Sequence, residues 1–159
     1  MSTTIDDFFE VCEAEFRFLV DEFGFRKKAR KTSAGVFRVP YEGAPAKVEV
    51  GFEWRDQYIY VLLGKPGLPR WKAEGRLPRP SDELMGFNLE DLLTVRAPGS
   101  GIDEKTFGRA LTREDIEHVC GTYARALREQ AADVLRGDFS VLPAVERIIN
   151  ERVEKYSRP

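Results

Sequence analysis

The sequence predicts an α+β fold, a four-stranded antiparallel meander with an N-terminal helix and C-terminal helices packed on one face. Three observations predict it. Apolar residues recur at spacings of three and four up to Gly24, then alternate every second position from Phe25 to Gly64. The alternating runs are joined by only a few residues, too few for the crossover that parallel strands need. Helical spacing then returns in the last third of the chain. At 159 residues, with no composition shift or linker, the chain reads as one domain, 1–159.

The first helix is marked by Ile5, Phe8, Phe9, Cys12, Phe16, Leu19, Val20 and Phe23 on one face. Thr3 or Thr4 can cap it, Asp6 and Asp7 suit the positive end of its dipole, and Gly24 ends it. Four strand-like runs follow: "FRKKARKT", "VFRVPY", "KVEVGFEW" and "YIYVLLG". In the first, Lys27 and Lys31 share a face with Phe25 and Ala29. In the third, Val48, Val50, Phe52 and Trp54 point inward, which makes Trp54 a core residue. The fourth is apolar on both faces and reads as the more enclosed strand. Residues 64–80 form a long loop rich in proline and glycine, with Trp71 among Arg70, Lys72, Arg76 and Arg79. Residues 81–96 read as one or two short helices, the second capped by Asn88. Thr112 opens a long helix whose inward stripe runs from Ile116 through Leu135 to a stop at Gly137. A last helix begins near Ser140 and has Pro143 in its first turn.

Charge falls in blocks. Residues 1–23 hold seven acids and one base, for −6; residues 24–41 hold six bases and no acid, for +6. The stretch "FRKKARK" is the densest cluster. Lysines on an edge strand discourage edge-to-edge association, and a sequence pI near 5.6 disfavours a dedicated nucleic-acid surface. A charged edge strand beside an acidic helix is therefore expected. The alternative is nucleic-acid binding through Arg26, Lys28 and Arg30 on the strand and Arg70, Lys72 and Arg76 around Trp71.

Recognisable catalytic chemistry does not emerge from the motifs. His118 is the only histidine and falls beside the apolar stripe of its helix, as a surface or boundary residue. With Cys12 and Cys120 it supplies neither a zinc set nor a nucleophile–base pair. Gly99-Ser100-Gly101 lacks the third glycine and preceding strand of a dinucleotide loop. Arg136-Gly137-Asp138 is a helix end followed by a helix start. No cofactor and no metal are expected. Two isolated cysteines, no secretory leader pattern and no apolar run of membrane length predict a cytoplasmic protein that does not enter the membrane.

"FRFLVDEFGF" (16–25), the meander, "NLEDLLTVRAPG" (88–99) and "ADVLRGDFSVLPAVERII" (132–149) together resemble a diffuse group of small bacterial proteins. Some of these resemble immunity proteins of toxin systems. The shared marks are structural, and no catalytic residue carries over. The leading expectation is a non-enzymatic protein-binding module, which the resemblance narrows to an immunity-type inhibitor of a bacterial toxin; a monomer or small homo-oligomer is expected. Its partner would meet the acidic helix face of Asp6, Glu10 and Glu13 and the Arg70, Trp71, Lys72 and Arg76 loop.

Overall fold

A computed structural model describes residues 4–66, 86–99 and 109–157. Its elements are α1 (Thr4–Glu15), α2 (Phe18–Asp21), β1 (Arg26–Lys27), β2 (Lys31–Ser33), β3 (Val36–Glu42), β4 (Lys47–Glu53), β5 (Tyr58–Gly64), β6 (Gly86–Asn88), α3 (Leu89–Arg96), α4 (Arg113–Gln130), α5 (Ala132–Leu135) and α6 (Leu142–Ser157). The class is α+β and the sheet is antiparallel. Among the described residues it has six strands rather than four, in the order β1-β3-β4-β5-β6, with β2 also paired to β3. The loop residues Arg70, Trp71, Lys72, Arg76 and Arg79 lie outside the described residues.

Registers across the sheet align three apolar rows: Phe37, Phe52 and Ile59; Val39, Val50 and Val61; Tyr41, Val48, Leu63 and Phe87. These rows join Phe8, Cys12, Phe16, Leu89, Leu92, Cys120, Tyr123, Val145 and Ile149 of the helices in one core. The period-2 pattern therefore works as expected, with one face of the sheet buried under helices. Asn88 caps α3 by accepting from the Glu90 N–H at 3.0 Å. Thr112 and Asp115 form the reciprocal capping box of α4.

Two strands beyond the expected four arise from different causes. β6 occupies residues read as helical; Gly86 lies opposite Gly64, and a Cβ there would sit 2.7 Å from the Leu63 carbonyl oxygen. Three residues are too few to display a period. The run 25–32 is not one strand. Lys27 pairs with Tyr41 and Lys31 with Arg38, so three residues (28–30) oppose two (39–40). This is a β-bulge, in which one extra residue reverses the alternation. Lys27 and Lys31 consequently belong to opposite faces, contrary to the simple alternation. Pro40, opposite the bulge, accepts the Lys28 N–H at 2.8 Å, and its own missing donor falls on this irregular edge.

Other expectations are corrected locally. Trp54 is 47% exposed: it stands one residue past β4, in the turn, with its ring edge-on to Phe52 at 6.1 Å. The first helix is broken after Glu15, and Val20 points outward, 39% exposed. The long C-terminal helix is likewise interrupted at Ala131 before α5. Gly24 and Gly137 do end their helices with φ of +70° and +97°.

Candidate binding surfaces

The acidic face of α1 is largely engaged within the molecule. Glu13 accepts from Arg30 Nε at 2.7 Å and Nη2 at 3.0 Å, and from Lys27 Nζ at 3.4 Å. Arg30 also lies over the Phe9 ring, 4.5 Å from its centroid. The bulge makes this possible by turning Arg30 back towards the helix. The Arg30 hydrogen bonds hold the Glu13 carboxyl below its ordinary pKa. Glu10 and Asp7 accept from Arg113 at 2.8 and 3.0 Å, and the Arg113 hydrogen bond likewise lowers the Glu10 pKa. Lys28 meets Glu42 at 3.8 Å. Asp6 is exposed on the same helix. Glu13 thus joins the two charge blocks as a clasp between α1 and the bulged edge, whereas Asp7 and Glu10 turn to Arg113 of α4.

The second face of the sheet is a separate surface. One row across it runs Lys31, Arg38, Gly51, Tyr60; the next runs Pro40, Glu49, Leu62, Asn88; a third runs Glu42, Lys47, Gly64, Gly86. Neither Tyr60 nor Leu62 belongs to the core. Gly51 sits in the middle of β4 because the Tyr60 ring lies directly over it. A Cβ at Gly51 would come within 2.1–2.5 Å of the ring carbons and hydroxyl. Tyr60 stacks with Tyr58, centroids 6.2 Å apart, and Arg38 meets Glu49 at 3.7 Å beside it. Burial pushes the Tyr60 hydroxyl pKa up; Glu49 adds to the rise and Arg38 opposes it. A cavity of about 310 Å³ on this face is lined by Pro40, Leu62, Gly64 and Gly86 together with the charged Lys31, Glu42, Lys47 and Glu49.

This face was missed in the sequence because β5 reads as apolar on both sides. The available signal was its two tyrosines, residues that carry a polar end, paired with a mid-strand glycine that needs an explanation.

Among the described residues, no group of three His, Cys, Asp or Glu side chains could hold a metal ion. His118 is exposed on α4, the position its helical phase gives it. Cys12 and Cys120 are buried free thiols; burial pushes Cys120 up to about 12 and raises Cys12 as well. Neither is a ready nucleophile at neutral pH. One buried carboxylate has a structural partner: Asp91, 3% exposed, accepts from Arg152 at 2.6 Å, tying α3 to α6. Among the described residues, no helix is long and apolar enough to cross a membrane.

Comparison with protein-family models, with curated proteins and with solved structures gives no match to this chain.

Proposed function

We propose that this chain is a non-enzymatic protein-binding module that occludes its partner, as an immunity-type inhibitor of a bacterial toxin does. The observation that carries this reading is the pinned Tyr60 row on the second face of the sheet. Tyrosine and arginine are enriched among residues that dominate protein interfaces. A ring held flat over Gly51, with Arg38 and Tyr58 beside it, loses little further freedom on binding. The mixed charges of Lys31, Arg38, Lys47, Glu42 and Glu49 would set orientation and partner choice. The α1 carboxylates contribute less than their number implies, because Glu13 and Glu10 already have cationic partners.

Nucleic-acid binding through the basic strand has weaker support. Lys27, Lys28 and Arg30 are each opposed by a carboxylate, so fewer charges are available to release counterions from phosphates.

A photo-crosslinking residue at Leu62, introduced in the producing cell, tests the proposal. The expected result is one discrete protein adduct that disappears when Gly51→Val displaces Tyr60. A set of nucleic-acid adducts, or a steep loss of mixed-sequence duplex affinity with rising salt, would replace this reading with the alternative.

A further inference from the structure

One face of α4 carries a charge arrangement symmetric about a glycine. Glu114, Glu117, Gly121, Arg125 and Arg128 follow one another at spacings of three, four, four and three, which places them on one face of the helix. The four charged residues are exposed. Gly121 is at the centre, with acids at −7 and −4 and bases at +4 and +7. Acids early and bases late also suit the helix dipole, but the dipole gives no reason for the glycine. A glycine inside a helix costs about 1 kcal/mol relative to alanine. Here alanine would fit, since the nearest atoms to a Cβ are those of the Glu15 carboxylate at 3.8 Å. Beside the glycine lies a groove of about 640 Å³ between α1–α2 and α4, with Phe18 in its wall.

We propose that this groove binds a second copy of the same chain, with two α4 helices packed antiparallel across Gly121 about a two-fold axis. A two-fold interface must be self-complementary, residue i meeting j while j meets i. Centring the axis on Gly121 satisfies that condition: Glu117 faces Arg125 of the second copy, and Glu114 faces its Arg128. Each pair extends an existing network. Arg113 bonds Glu117 at 3.0 Å, so Arg125 of the second copy would complete a chain of alternating charge that begins at Asp7 and Glu10. Arg128, bonded to Glu22 and lying over the Phe18 ring, would gain Glu114. The missing side chain at Gly121 lets the helix axes approach towards the short end of the usual 8–10 Å. The stripe is about 21 Å long at 1.5 Å per residue, so the contact is smaller than a permanent interface and the dimer is concentration-dependent.

Sedimentation equilibrium from micromolar to millimolar protein tests this, with circular dichroism to verify folding. The wild type should dimerise reversibly, more weakly as salt rises. Gly121→Leu, which fills the space beside Glu15, should weaken dimerisation at least about tenfold, with the helical spectrum intact as verified by circular dichroism. Arg125→Glu alone and Glu117→Arg alone should each be monomeric, because each places like charges across the axis. Mixed in equal amounts, these two variants should form a heterodimer, since both cross-axis pairs become opposite again. A wild type that stays monomeric throughout, a dimer indifferent to Arg125→Glu, or a mixture that fails to associate would each overturn the proposal.

Discussion

A single hydrogen at Gly51 decides whether Tyr60 can lie flat on the sheet. Gly51→Ala forces the ring of its cross-strand neighbour to lift or the strands to shift, an overpacking that typically costs about 1–3 kcal/mol. Urea denaturation should show that loss. Tyr60→Ala in the same chain should remove most of it, because the two substitutions act on one contact. Trp54 gives the opposite lesson. With nearly half its surface in water and one edge-on contact to Phe52, Trp54→Ala should cost only about 1 kcal/mol. Fully buried aromatic truncations cost about 3–5 kcal/mol. A measured loss in that upper range would show that the ring is packed in the core.

Among elements, the bulged edge and α1 act together. Because hydrogen bonds from Arg30 depress the Glu13 pKa, the clasp stabilises the fold fully above the ordinary carboxylate range. That contribution disappears as pH falls from about the ordinary value of 4.5 through the lower folded-state value. Glu13→Gln should therefore flatten the acid side of the stability–pH curve and change the neutral-to-alkaline side little in slope. Chemical denaturation at a series of pH values measures both. The residues of this clasp were legible as opposing charge blocks, but its geometry was not. Alternation places Lys27 and Lys31 together, and only the two-against-three pairing opposite Val39 and Pro40 separates them. β6 was hidden for another reason: Gly86, Phe87 and Asn88 are fixed by tertiary pairing to Leu62–Gly64, which no local pattern records. By contrast, α4 announced itself through its capping residues and a long apolar stripe, because those signals are intrinsic to the helix.

At the scale of the whole molecule, helices from both ends of the chain share one core with the sheet. Cys12 of α1 and Cys120 of α4 sit in it as buried thiols, so neither can meet a thiol reagent without substantial opening. Both should react at similarly slow rates with Ellman's reagent, accelerating together as urea approaches the unfolding midpoint. Fast labelling of Cys12 alone would reveal that α1 detaches independently. The sequence gives both cysteines helical, inward positions, but their shared core depends on packing between residues 108 positions apart. The same long range separates the ion pairs of Arg113 with Glu10 and of Arg128 with Glu22, at 103 and 106 positions. This separation has a consequence for synthesis on the ribosome. Phe8 and Phe9 pack on Phe52 and Phe37 of the sheet, which follow within about 45 residues, yet α4, which also packs on α1, is translated about 100 residues later. At about 5–20 residues per second, the nascent chain carries the side of α1 that meets α4 uncovered for roughly 5–20 s, a window in which a ribosome-associated chaperone has something to hold.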